Sequence, residues 1–255
     1  MSVSIHDIAI IGSGNVANFI AHILSEKGFN ISQVHSRNLI SGKNLASKIK
    51  AEFIEEITSV KAEIIFIAVH DQQIEKSIAK LPKSSILFYT SGTVNLASIS
   101  AENCGVFYPL QTFSKSNYNA PFDGPILLEL KNDLVRDYAL MLCSELKLSF
   151  QITSSEERKN IHLCAVFLNN FINHIACIGL DLAKERKIDT SLFTPLIRKT
   201  FENIIQNNPC ENQSGPAKRN DKTIINEHLA LLNGDSKTIY HLITESILAQ
   251  NGYEL

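Results

Sequence analysis

Gly12-Ser13-Gly14-Asn15-Val16-Ala17 stands between an apolar run, Ile8 to Ile11, and a helix-compatible stretch, Asn18 to Lys27. A second apolar run comes next, at Ile31 to Val34. Strand, glycine turn, helix and strand at the spacing of a unit of ~30 residues predict the opening of a dinucleotide-binding fold. Each small residue has a physical task there. Gly12 permits the tight turn, Gly14 lets the backbone approach a pyrophosphate, and Ala17 lets the helix lie close to the sheet. The anion would rest on the helix N-terminus, where unpaired N–H groups and the dipole favour it, with Gly12, Ser13, Gly14, Asn15 and Val16 as the candidate contacts. An ordinary strand-to-helix turn that happens to use glycines is the alternative.

The end of the second apolar run refines the cofactor. An NAD site usually carries Asp or Glu there, about 20 residues past the glycines, to hold the ribose hydroxyls. This chain has His35-Ser36-Arg37-Asn38. A carboxylate repels a 2′-phosphate, whereas Ser36 and Arg37 can bind one through charge-assisted hydrogen bonds. NADP is therefore expected over NAD, with a solvated loop arginine as the alternative.

A second constellation lies at 162–174: His162, Asn169, Asn170, Asn173 and His174 in an otherwise apolar stretch. At ~100° per residue, positions 162, 169 and 173 share a helix face, with 170 beside them. Buried amides and an imidazole are costly unless paired or functional. Imidazole ordinarily titrates near neutrality, which makes His162 the candidate proton donor. Asn169, Asn170 and Asn173 are candidates to orient a substrate, with helix–helix hydrogen bonding as the alternative. Downstream, Ser214-Gly215-Pro216-Ala217-Lys218-Arg219-Asn220-Asp221 is a basic turn, in which Lys218 and Arg219 can hold a carboxylate or phosphate, with solvated surface charge as the alternative, and Asp221 can cap a helix.

Hydrophobic pattern assigns these residues to strands and helices. Glu63 to Val69 is apolar without alternation, as a fully buried parallel strand is, and ends at His70-Asp71. Ser85–Tyr89 and Gly105–Tyr108 read as further strands, ending at Thr90-Ser91-Gly92-Thr93 and at Pro109. Ligands of open α/β sheets bind beyond the carboxyl ends of strands. Gly12–Ala17, Ser36–Arg37, Val69–His70, Ser91–Gly92 and Tyr108–Gln111 all fall at such ends, so Val69 and His70 join the cofactor set and Ser91 the substrate set. Residues 125–129 and 148–152 predict two more strands around a helix at 132–145. Beyond about residue 153 strand signals vanish, and helices are expected over 156–187, 192–207, 221–232 and 236–250. The chain thus reads as a doubly wound, mainly parallel Rossmann domain, 1–153, and then an all-α domain, 154–255, for substrate and dimerisation.

Bulk properties exclude several classes. At 255 residues, 44% hydrophobic and 20% charged, the composition is that of an ordinary globular protein. A net charge of −2 argues against a nucleic-acid partner held by electrostatics. No uninterrupted apolar run approaches the ~20 residues that cross a bilayer, and the N-terminal apolar run reads as a strand rather than a leader. Five dispersed cysteines without paired spacing fit reduced thiols in a cytoplasm. No metal site is expected.

GSGNVA at the front, TSGT and YPLQTFS mid-chain, and HLCAVFLNN and SGPAKRND behind resemble the Rossmann-like, DUF2520-containing proteins, relatives of the 6-phosphogluconate dehydrogenase-like reductases. The resemblance spans nearly the whole chain. It implies an N-terminal NADP-binding domain, a helical second domain and a homodimer formed through the helices. The family pattern has His-Pro-Leu-Gln where this chain has Tyr108-Pro109-Leu110-Gln111, and Arg-Gly-Asp where it has Arg219-Asn220-Asp221. In the related ketopantoate reductases a lysine on the first helix of the second domain is the acid, with an asparagine eight residues later; those places fall on His162 and Asn170. The expectation is an NADP-dependent oxidoreductase that reduces a small keto or imino acid, with His162 and Asn170 catalytic. The rival is a non-catalytic NADP-binding sensor or partner-binding protein. An S-adenosylmethionine-binding fold is disfavoured by the long helical region and by Arg37.

Overall fold

The computed structural model describes residues 6–114, 121–206 and 208–254. Asn207, the expected end of one helix, and residues 1–5, on which the reading of the N-terminus partly rests, lie outside them. The chain divides into two compact units, 1–169 and 170–255.

The first unit is built on an eight-stranded sheet of order β3-β2-β1-β4-β5-β6-β7-β8. The strands are β1 (Asp7–Ile11), β2 (Asn30–His35), β3 (Glu52–Ile54), β4 (Ile64–Ile67), β5 (Ile86–Tyr89), β6 (Cys104–Pro109), β7 (Ile126–Leu130) and β8 (Phe150–Ile152). All neighbours are parallel except β6 and β7. Helices α1 (Asn15–Glu26), α2 (Leu39–Ile49), α3 (Asp71–Ile78) and α4 (Asp133–Leu146) connect them. The central strands lack alternation because both faces are covered. Ile8, Ile10, Phe66, Phe88 and Phe107 pack with residues of α1, α2 and α4. Ala9, Ile11, Ile65, Ile67, Leu87 and Val106, one residue out of phase, pack with Ile74 and Ile78 of α3. A period of two places successive side chains on opposite faces, and here each face has its own core.

α5 (Ser155–Ala165) also belongs to the first unit. Ser154 and Glu157 close a reciprocal capping box at its start, which satisfies two N–H groups that the helix leaves unpaired. Helical structure then continues to Glu185, but not as the single α-helix expected from the pattern. Val166–Phe171 forms a π-helical stretch before α6 (Ile172–Glu185). A π-turn holds more residues than an α-turn and rotates the helix beyond it, so the even 100° spacing assumed for positions 162 to 173 does not apply. The division between the two units falls inside this stretch.

The second unit comprises α6, α7 (Thr194–Gln206), α8 (Lys222–Leu231) and α9 (Gly234–Gln250). Its small core of Ala217, Ile225 and Leu248 leaves many large apolar side chains exposed, among them Phe171, Leu192, Leu196, Ile205 and Leu231. Residues 155–185 form a helix long and apolar enough, by length and composition, to cross a membrane, with an 18-residue mean hydropathy of 1.6. The run-length expectation missed it because scattered polar residues interrupt every run without lowering the average much.

Candidate dinucleotide site and the Tyr108–His162 cluster

The glycine turn sits where the sequence places it, and its geometry fits a pyrophosphate. Gly12 has φ +121°, and a Cβ there would lie 2.1 Å from the Ala68 carbonyl oxygen, so only glycine passes between β1 and the end of β4. A Cβ on Gly14 would project into open space, the space a phosphate would need. Gly14 is the N-cap of α1 and offers no side-chain cap, leaving the first-turn N–H groups for an anion. Among the expected contacts, Gly14 and Asn15 are exposed, and Ser13 and Val16 are half-buried. Asn15 donates through Nδ2 to the Phe113 carbonyl at 2.8 Å, and the Phe113 ring stacks on Phe19 at 4.3 Å. The segment after β6 therefore lies beside the glycine turn.

At the end of β2, Ser13 Oγ is 2.8 Å from Ser36 Oγ and 2.7 Å from Ser41 Oγ. Ser36 is buried, whereas Arg37 is exposed and forms no ion pair among the described residues. Asn38 caps α2 through the Ser41 N–H. Three serine hydroxyls and the α2 N-terminus gather at the end of β2, next in sequence to the exposed Arg37. Sequence alone does not point to Ser41, since its part depends on the α2 turn bringing it back to Ser13.

The second cluster gathers at the carboxyl ends of β4, β5 and β6. Val69 is half-buried, and His70 is exposed at the start of α3. Asp71 accepts a hydrogen bond from the Thr93 hydroxyl. The Ser91 hydroxyl is buried and accepts from the N–H groups of Thr93 (3.1 Å) and Val94 (3.0 Å), so it braces the 91–94 turn from beneath. Tyr108, on β6, reaches His162 of α5: its hydroxyl lies 3.0 Å from Nδ1, with ring centroids 6.1 Å apart at 67°. Burial, then the negative charge of Asp71, holds the Tyr108 phenol above its ordinary pKa, with Arg158 acting the other way.

What places α5 against these strands is a buried ion pair that sequence reading missed. Arg158, one turn before His162, is fully buried. It pairs with Glu129 of β7 and donates to the Val94 carbonyl. Ser155 Oγ lies 2.8 Å from Glu129 Oε1 and accepts from the Leu96 N–H at 3.0 Å. An arginine in a helix stretch rich in polar residues carries no local sign of burial.

The remaining candidates are placed less informatively. Asn169 ends the first unit, Asn170 and Asn173 lie in the second, and all three are exposed without hydrogen-bond partners among the described residues. Arg219 is exposed in the turn before α8, and Asp221 caps that helix through the Ile224 N–H. Asn220 takes φ 54°, a left-handed conformation that asparagine tolerates where glycine would be the default. Among the described residues no group of three or more His, Cys, Asp or Glu side chains could hold a metal ion.

A glycine turn, a helix N-terminus without a side-chain cap and a Tyr–His cluster at the carboxyl ends of the strands are features of the Rossmann class of nicotinamide-dinucleotide oxidoreductases. Residues 7–87 match the family model described as NADP oxidoreductase coenzyme F420-dependent, and residues 125–247 match the domain of unknown function DUF2520. A crystal structure from Bacteroides fragilis, named as a candidate NADP oxidoreductase, is similar over 96% of this chain and 98% of its own. Its identity is 30% and its TM-score 0.87. The chain belongs to the Rossmann-like, DUF2520-containing family. A Thermotoga maritima protein shares 20% identity at TM-score 0.66, over 96% of this chain and 97% of its own. An imine reductase variant from Myxococcus stipitatus, in complex with NAD+, shares 12% at TM-score 0.57, over 98% and 96%. No curated protein matches the chain.

Proposed function

We propose that the chain is an NADPH-dependent reductase of a small keto or imino acid. One observation carries the reading. At the sheet edge that bears the glycine turn, His162 Nδ1 is tied to Tyr108 while Nε2 has no partner among the described residues. Bound NADPH would supply a hydride to the carbonyl or imine carbon. His162 would hold, at Nε2, the proton taken up by the heteroatom as the double-bond electrons collapse onto it. The α1 N-terminus and Gly14 would hold the pyrophosphate, and Ser36, Arg37 and Ser41 the 2′-phosphate. Roles for Ser91, Asn169, Asn170, Asn173 and Arg219 toward substrate enter from the sequence and await substitution.

The reductive chemistry named for the Myxococcus relative is of this class. The exposed apolar helices of the second unit support a homodimer, a second copy covering what one chain leaves bare. A cytoplasmic location is part of the same reading.

The test is NADPH oxidation with pyruvate, 2-oxobutyrate and 1-pyrroline-2-carboxylate. His162→Ala should slow turnover by roughly 10²–10⁴-fold while NADPH affinity holds. A stable, fully active His162→Ala protein refutes the acid role. Wild-type protein that binds NADPH but reduces no keto or imino acid favours the sensor reading instead.

A further inference from the structure

We infer that Tyr108 and Gly92 are positioning residues that fix the His162 ring with Nε2 as its reacting nitrogen, an inference resting on the reductase reading for its catalytic meaning. Three observations converge. Tyr108 Oη sits 3.0 Å from Nδ1, and the two rings meet edge-on. A Cβ on Gly92 would lie 2.7 Å from Nδ1, 2.8 Å from Cγ and 3.0 Å from Cβ of His162. Real Cβ atoms do not approach so closely, so the imidazole occupies the space that glycine vacates. Finally, Arg158 anchors α5 one turn earlier, which fixes the backbone that carries the ring.

The hydroxyl makes a chemical choice as well as a geometric one. A neutral imidazole has one nitrogen that donates and one that accepts. The phenol, kept protonated, donates into Nδ1, which leaves the ring proton on Nε2. When the ring is cationic, Nδ1–H donates back to the phenol oxygen and Nε2 still carries a proton. In both states the N–H away from Tyr108 faces a bound heteroatom, and the cationic ring is the state that gives up its Nε2 proton. The partner that holds Nδ1 is neutral, so orientation is fixed without placing a carboxylate against the ring. Serial positions in sequence give no hint of this pairing: 54 residues separate Tyr108 from His162, and α5 must cross the ends of β5 and β6 to join them.

Nitrogen NMR of isotope-labelled histidine reads the tautomer without any substrate, the His162 signals being assigned by their loss in His162→Ala. In wild-type protein above the titration range, Nδ1 should appear as a hydrogen-bonded acceptor and Nε2 as the protonated nitrogen. In Tyr108→Phe the Nδ1 signal should move downfield toward a free acceptor. In Gly92→Ala it should move as well, because the seat is filled. Turnover of the substrates above should fall about 10-fold in Tyr108→Phe, with KM for NADPH and melting temperature unchanged. Gly92→Ala should lose roughly 10²-fold, as for a misplacement of ~1 Å. Unmoved nitrogen signals in Tyr108→Phe overturn the proposal, as does an unchanged kcat. If wild-type protein reduces nothing yet the signals move, the tautomer assignment stands and the reductase reading falls.

Discussion

Replacing Glu129 by glutamine should cost more stability than replacing its partner Arg158 by methionine. Arg158 is 0% exposed, whereas the Glu129 side chain is 19% exposed. Glu129→Gln keeps the shape but strands a guanidinium in the interior, with the neutral Val94 carbonyl and Tyr89 hydroxyl as its other partners. Breaking a buried pair from one side costs ~3–5 kcal/mol, and the retained amide oxygen argues for the lower end. Arg158→Met removes the buried charge itself. The carboxylate it leaves reaches solvent and keeps Ser155, and a methionine fills much of the arginine volume, so ~1–2 kcal/mol is expected. At roughly 2.1 cal/mol/K per residue, the 169 residues of the first unit convert 3 kcal/mol into a melting shift of about 8 °C and 1–2 kcal/mol into about 3–6 °C.

The assay is thermal unfolding of both single variants and the double variant at one ionic strength. The double variant should be no less stable than Arg158→Met alone, giving a coupling energy of ~3 kcal/mol. If Arg158→Met destabilises as much as Glu129→Gln, or if the two losses add, the pair is solvated and does not anchor α5.

Three other measurements bear on the cofactor, on pH and on assembly. Titration should show NADPH binding ~10-fold or more tightly than NADH, the value of one charge-assisted contact from Arg37, and Arg37→Asp should invert the order; equal affinities refute the 2′-phosphate assignment. Hydrogen bonds from Tyr138 and then His6 hold the Glu63 carboxyl below the usual carboxylate range. A depressed folded-state pKa contributes stability that is complete above the unfolded value of ~4.3 and is lost as pH falls through the depressed value. Glu63→Gln should therefore narrow the stability gap between pH 6 and pH 3 in urea titrations, and an unchanged gap refutes it. Light scattering at micromolar concentration should return a dimer mass; a monomer would leave the bare helices of the second unit to another partner.

The parts of this fold legible in the sequence are those whose signal is local. The β1–glycine–α1–β2 unit can be read because Gly12 needs a positive φ and a side-chain-free approach to Ala68, and because the buried strands carry unbroken apolar runs. Seven of the eight strands, including the short β8, fall where those runs predict, while β3, of three residues, is too short to carry a run of its own. What cannot be read depends on contacts between distant segments. Ser91 stands beside a glycine at a strand end, as a ligand-binding serine would, and its hydroxyl also accepts from the N–H groups two and three residues on, a bracing role that its sequence position does not show. Arg158 looks like surface charge until β7 supplies Glu129. The asparagines of 169–173 look like one face of a helix, but periodicity assumes 3.6 residues per turn, and the π-stretch at 166–171 breaks that assumption where the candidate residues lie. His162 stands out in sequence by its type and its apolar surroundings. The nitrogen it presents, though, depends on Tyr108, 54 residues away on β6. A phenol reaching from the sheet provides an oriented, uncharged partner for an imidazole on the helix, so Tyr108 and His162 are two halves of one device.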